Sequence, residues 1–524
     1  MITKKMALLS AGVFFILCQL INAQSTDPLE SISEAELRDH IFFLASDYLN
    51  GRVGISPQYE IAAQYVATQF AAAGLQPVVE NEDGSKSYFQ GVPFLKTTYS
   101  DEIKWKIIND DGENTLIHKE DFKILYGNKL NHDKLEVVYA GYGIEEPDHK
   151  WNDFEDIDVE GKIMVCISGA PMKNGKAVLP EEVHRRYIGP RGLQSKIGAL
   201  FSKGAEGLIL VDIDASSGMP FSIIPSAFAR EKYVYQGGDN RQQRSMPSVY
   251  LAKREIINPL MENSKNTPLN APEALEKNYR PGLLEDTYLV SSIDILNEEP
   301  VSASNVSGMV PGTDPVLKNE YIVVGAHLDH VKPVNGEVCN GADDNASGSA
   351  GVIEIAEALA MNPGKRSVIF ITYTAEEMGL IGSRHFVNSN LFPAEKIKFN
   401  INMDMIGRSD PANEVSRAHY VVSDKKYIAG IEKFINQMND GITDFPLIFD
   451  NDEDSPGGSD HQSFMSAGIP AFFFFSGVHN DLHRPGDDPE KIDYAKAADI
   501  CRLAYLITAE LAGMDAVPTF MIED

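Results

Sequence analysis

The chain has 524 residues, 43% of them hydrophobic, so it is globular in composition and too long for one ordinary core; two domains are expected and disorder is excluded. Its formal charge of −30 makes nucleic acid and anionic membrane poor partners. Of its four cysteines Cys18 lies in the apolar N-terminal run, and the other three, Cys166, Cys339 and Cys501, neither cluster nor form an even set, which argues against a disulfide framework or a thiolate metal site.

In chain order, MITKKMALLSAGVFFILCQLINA sets Lys4 and Lys5 before an apolar run that closes on Asn22 and Ala23. This reads as a signal peptide over residues 1–23, and hence as export to the periplasm or beyond. A retained anchor is the rival reading, but the run is short for a bilayer and no later segment supplies a span. Lipidation at Cys18 is disfavoured by the bulky Leu17 before it. Ser33 and Glu36 then form a capping box ahead of Leu37, Ile41 and Leu44, and Ser56-Pro57 opens a second helix that Gly74 closes. Residues 24–101 are thus the helical start of a larger domain. From 102 to 280 the texture changes to short β-rich runs (LEVVYAGYGI, KIMVCISG, GLILVDI) separated by turn-rich stretches, which predicts an inserted β-rich domain. Residues 281–524 alternate strand and helix: YIVVGA, a helix from Ser347, SVIFITYT, another helix, FNINMD, AFFFF and a closing helix near Tyr494 to Leu511. That pattern predicts an α/β fold with a mostly parallel central sheet and helices on both faces.

The polar residues fall at the ends of these strands. His327 and Asp329 follow the first, Asp343 and Asp344 precede the next helix, and Glu376 and Glu377 follow the second strand. Asp404 ends the third and His483 follows AFFFF. Loops at the carboxyl ends of parallel strands converge, and histidines with carboxylates suit zinc in a hydrolytic site. A zinc pair needs a bridging carboxylate, terminal ligands on each side and a free carboxylate to accept a proton from water. The doublet Glu376-Glu377 can divide ligand from base. Singly, His327 would be a satisfied loop histidine and the glutamates a solvated helix start; their order at successive strand ends favours the metal.

The segments GAHLDHV, NGADDNASGSAGVIEIA, FITYTAEEMGLIGS, NMDMIGR and GVHNDLHRPGDD, in this order, resemble the di-zinc exopeptidase family of bacterial leucyl aminopeptidases and glutamate carboxypeptidase. EGKIMVCISGAP, KGAEGLILVDI and MPSVYL within 102–280 resemble a protease-associated domain. The likeness implies two Zn2+, with Asp344 as the bridge, His327 and Asp404 on one ion, and Glu377 and His483 on the other. It further implies Glu376 as general base, Asp329 as the partner that orients His327, and a cis bond between Asp344 and Asn345. Many relatives have Tyr where this chain has Leu482, so the oxyanion stabiliser is open, and His479 is a candidate. The implied substrates are peptides with a free N-terminus.

Three rivals remain. A carboxypeptidase for acidic C-termini would need a basic pocket, for which Arg384 and Arg408 are the candidates; a glutaminyl cyclase is opposed by the insert and by Leu482; a non-catalytic receptor predicts lost ligands, and none is lost. His385 reads as a surface or packing residue, Asp460 and His461 receive no chemistry, and DNDEDS from Asp450 reads as a solvated loop in preference to a calcium site. Phe472 to Phe475 read as a buried strand.

Overall fold

The computed structural model describes residues 27–521 apart from 111, 174–175, 213–217, 239–245, 257–259, 261–280, 416 and 452–457. The expected leader, with Cys18, and most of the acidic run from Asp450 lie outside the described residues. Contacts divide the chain into two compact units, Met1–Phe94 with Val301–Asp524, and Leu95–Pro300. The divisions fall inside two long strands, Phe89–Asn109 and Gly282–Val310, and not at 102 and 280. Neither strand changes its residue texture at the division, so the composition had nothing to mark.

After a single helical turn at Pro28–Ser31 the first unit continues with α1 (Glu34–Leu44), whose Ser33 hydroxyl accepts from the Glu36 N–H as the capping box requires. Leu37, Ile41 and Leu44 are buried along its inner face. Helix α2 (Pro57–Ala72) is capped by Ser56 and buries Ala62, Val66 and Phe70. It stops because Gly74 takes φ +80° and the Leu75 N–H turns back to the Phe70 carbonyl at 3.0 Å, a reversal that only a residue at ease with positive φ permits cheaply.

The sheet of this unit is built from β1 (Tyr321–His327), β2 (Ser367–Tyr373), β3 (Ile397–Asp404), β4 (His419–Ser423), β5 (Leu447–Asn451) and β6 (Ala471–Phe475). Their order is β5-β4-β6-β3-β1-β2, continued by the 306–310 part of Gly282–Val310. Pairs β1/β2, β1/β3, β3/β6 and β4/β5 are parallel; β4/β6 and the pairing of β2 with Val306–Val310 are antiparallel. Every residue of β2 and of the all-apolar AFFFF strand β6 is buried, as expected where both sheet faces are covered. Val323, Ile369 and Ile371 pack with Phe386 of α4 (Ile381–Asn388) and Phe464 of α6 (His461–Ser466), while α3 (Gly348–Met361) and α7 (Tyr494–Gly513) also lie against β1. The amphipathic helix α5 (Lys425–Met438) and strands β4 and β5 were not expected from the sequence, whose short runs there are interrupted by polar residues.

In the second unit the strands His132–Tyr139, Ile163–Ile167, Gly207–Asp212 and Ser248–Lys253 form a parallel run, closed by the antiparallel Phe122–Tyr126. One expectation is corrected here: the stretch between the second and third of these strands is not only turns but holds the helix Gly189–Ser202, started by Pro190 and burying Leu200. Its glycines and exposed polar residues mask the apolar period in the sequence. No helix among the described residues is long and apolar enough to cross a membrane.

Candidate metal centre

Parallel strands deliver their C-terminal ends to one place, and the chain turns sharply there. Positive φ at the non-glycine residues Ala375 (+53°), Met405 (+60°) and His483 (+56°) marks three of these turns, local backbone conformations of the kind that accumulate at functional sites. His327 and Asp404 are the last residues of β1 and β3, Asp344 lies in the Ala342–Ser347 turn that precedes α3, and Glu376 and Glu377 follow β2.

The five proposed ligands converge. His327 Nε2 lies 3.3 Å from Asp404 Oδ1 and 3.4 Å from Asp344 Oδ1. On the other side His483 Nε2 lies 3.1 Å from Asp344 Oδ2 and 3.1 Å from Glu377 Oε2. Asp344 thus offers one oxygen to each group, the disposition of a bridging carboxylate. Neighbouring ligands on a tetrahedral ion with bonds of about 2.0–2.2 Å stand about 3.3–3.6 Å apart, so these donors fit a zinc-sized cation at each position. No lysine or arginine among the described residues forms an ion pair with Asp344, Glu376, Glu377 or Asp404; the histidines and the field of the buried Arg52 offset only part of this buried negative charge, which also suits a cation.

Glu376 Oε2 is 4.0 Å from His327 Nε2. Burial lifts its carboxyl well above the ordinary range, helped by Asp460 and Asp404 although His327 opposes them. Burial also acts on Glu377, but hydrogen bonds from His330 and His483 overcome it and hold that carboxyl below its usual value. The two adjacent glutamates are therefore driven apart in acidity, which is the condition for one to accept protons while the other stays ionised.

Two expected roles change. Asp329 does steady His327, but through its backbone carbonyl, 3.0 Å from Nδ1; its carboxylate instead accepts the Glu376 backbone N–H at 3.0 Å. His479 is buried with Nε2 3.4 Å from Asp343 Oδ2, and its Nδ1 accepts from the Asp481 N–H. It does not line the cavity, so it is not placed to stabilise an oxyanion there. Asp343 Oδ1 accepts from the Gly407 N–H at 2.6 Å. The Asp344-Asn345 bond is cis.

Three residues that the sequence did not single out support the centre. The Asp487 carboxylate accepts the N–H groups of Asp343 and Asp344 at 3.1 Å each. Arg52, fully buried, donates to the carbonyls of Leu44 (2.9 Å), Leu328 (2.7 Å) and Gly341 (2.6 Å), and to that of Asn340. His330 Nδ1 lies 3.1 Å from Glu377 Oε1. Only His330 carried a usable signal, its place in the His-Leu-Asp-His run.

The donors open into a cavity of about 380 Å³, walled by Leu380, Met405, Phe473, Phe475, Val478 and Leu482. Among the described residues its charged lining is His327, Asp344, Glu376, Glu377, Asp404 and His483, with no lysine or arginine. Arg408 instead pairs with Asp481 at 3.0 Å, and Arg384 is not in the lining.

Residues 305–508, which carry all five donors and Glu376, match the profile of Peptidase family M28. This segment is a peptidase family M28 domain. The chain is 34% identical over 207 residues to leupeptin-inactivating enzyme 1 of Streptomyces exfoliatus, covering 38% of this chain and 42% of that protein. It is 34% identical over 166 residues to leucine aminopeptidase 2 of Trichophyton rubrum, covering 30% and 31% of the two chains. These matches span less than half the length of either relative. In fold the chain resembles the aminopeptidase from Aneurinibacillus sp. strain AM-1, with TM-score 0.54 and 18% identity over 95% of this chain and 98% of that one.

Proposed function

We propose that this protein is an exported aminopeptidase that removes N-terminal residues from peptides with two zinc ions in the M28 centre. His327, Asp404 and Asp344 would hold one ion, and Glu377, His483 and Asp344 the other. In this reading residues 1–23 are an export leader and the Leu95–Pro300 unit is a protease-associated insert. The relatives named above point the same way, since one is a leucine aminopeptidase and the fold neighbour is an aminopeptidase.

The observation that carries the choice between the two ends of a peptide is the cavity's charge. Among the described residues its charged walls are carboxylates and histidines with no arginine or lysine, which suits an ammonium terminus and disfavours a terminal carboxylate. The apolar wall of Leu380, Met405, Val478 and Leu482 suits an apolar first side chain. When bound, the zinc pair supplies Lewis-acid polarisation and makes water acidic enough to react near neutral pH. Glu376 takes the proton from the attacking water and returns it to the leaving amine, a task for which its burial-raised basicity is suited. Asp329 fixes the backbone of Glu376 at the strand end, and Glu377 stays ionised as a ligand.

The test is mass-spectrometric product analysis with peptides carrying free or acetylated N-termini and the zinc-loaded protein. Stepwise loss of N-terminal residues from the free peptides alone is expected. C-terminal trimming of both would overturn the reading in favour of a carboxypeptidase.

A further inference from the structure

His330 sits on the loop after β1, with its backbone pinned by a bridge to Val53. Its imidazole is fully buried. The ring fits because Gly341 has no side chain: a Cβ there would come within 2.5 Å of the ring, and Gly341 itself takes φ +59°. Nδ1 lies 3.1 Å from Glu377 Oε1 and 3.5 Å from Asp344 Oδ2, whereas His483 meets the other oxygen of Glu377.

We propose that His330 is a positioning residue that donates its Nδ1–H to Glu377 Oε1, so that Oε2 is the oxygen presented beside His483 to the cation. A sixth ligand is the alternative, and the second ring nitrogen decides against it. A ligating imidazole commonly hands its other N–H to an acceptor, as His327 does to the Asp329 carbonyl at 3.0 Å. Nε2 of His330 is buried with no hydrogen-bond partner. If Nδ1 bound a metal, Nε2 would have to carry the proton and leave a buried N–H unpaired. With the proton on Nδ1, Nε2 is only an idle acceptor and Glu377 gains a charge-assisted hydrogen bond. The loop therefore holds a metal ligand, His327, and the support for a second ligand from a neighbouring strand, three residues apart.

This inference rests on the zinc reading above. The experiment is calorimetric zinc titration of the metal-stripped full chain, for the wild type, His330→Ala and His330→Asn, with cobalt absorption spectra of each and thermal melts of the apo proteins as folding controls. Asparagine is informative because its amide N–H can occupy the place of Nδ1–H. We expect unchanged stoichiometry and unchanged saturated cobalt spectra, one site weakened about 10–100-fold in His330→Ala, and most of that loss recovered in His330→Asn. Loss of one ion in His330→Ala that asparagine does not restore, with altered cobalt bands, would overturn the proposal by making His330 a ligand. Unchanged affinity in His330→Ala overturns it also. If the alanine variant does not fold, His330→Gln, whose amide lies one methylene further out, replaces it, and equal binding by the Gln and Asn variants counts against the proposal. Failure of the wild type to take up zinc would be distinguishable, since it removes the metal reading itself.

Discussion

The Glu376 backbone N–H is bonded to the Asp329 carboxylate at 3.0 Å, which ties the proposed general base, just past the end of β2, to the loop that leaves β1 beyond His327. The Asp329 carboxylate is fully buried, so this bond does not compete with water, and the same burial pushes the carboxyl up to about 7. Asp329→Ala is expected to lower kcat about 10–100-fold with little change in KM, because substrate binding is untouched while the base loses its anchor. Asp329→Asn keeps an accepting oxygen and should retain more activity; steady-state kinetics of the two variants check this, and equal losses would refute the hydrogen-bond role.

Removing the base itself should separate chemistry from metal binding. Glu376→Gln is expected to cut turnover at least about 10²–10⁴-fold. Zinc content measured by elemental analysis should stay at the wild-type level, since Glu376 Oε2 is 4.0 Å from the nearest metal-site donor nitrogen recorded, that of His327.

Asp344 presents one oxygen to each donor group, whereas Asp404 touches only the His327 side. Asp344→Ala should therefore weaken uptake of both ions, and Asp404→Ala that of one. Equilibrium dialysis against zinc distinguishes the patterns, and a single weakened site in Asp344→Ala would contradict the bridge.

Among the described residues Arg52 makes no ion pair, and burial lowers its guanidinium to about 10 against the pull of Asp344, Asp487, Asp329 and Glu377. Its donors satisfy carbonyls on both sides of the centre, at Leu328 and at Gly341. Arg52→Met leaves several of these unpaired at about 1–3 kcal/mol each, so a total loss of about 3–5 kcal/mol in unfolding free energy is expected from denaturant melts.

In the second unit His118 bonds Ser226 through Nε2 at 2.9 Å and packs edge-on against Phe228. Burial, with some repulsion from Lys119, lowers its pKa to about 4 from an ordinary value of 6.5. The unfolded chain then binds the proton more readily, so the stabilising contribution is full above pH 6.5 and is lost as pH falls towards 4. Urea midpoints of the wild type should drop through this window more steeply than those of His118→Gln.

The sequence by itself determined the strand ends that carry the chemistry. His327, Glu376, Glu377 and Asp404 were legible because they lie at or just past the ends of strongly apolar strands, which are visible as hydrophobic runs that stop, while Asp344 precedes the start of a helix and His483 lies on the segment after the AFFFF run. Helices α1, α2 and α7 were legible for a similar reason, through caps and apolar spacing that are local in the chain. Tertiary structure decided what depends on direction and on partners far away in sequence. It turned the Asp329 carboxylate from His327 to Glu376, withdrew His479 behind Asp343, and brought Arg52 and Asp487 to the back of the same turn. A residue type and its spacing specify which atoms are available, but which oxygen faces which nitrogen is set only when loops from separate strands are packed against one another.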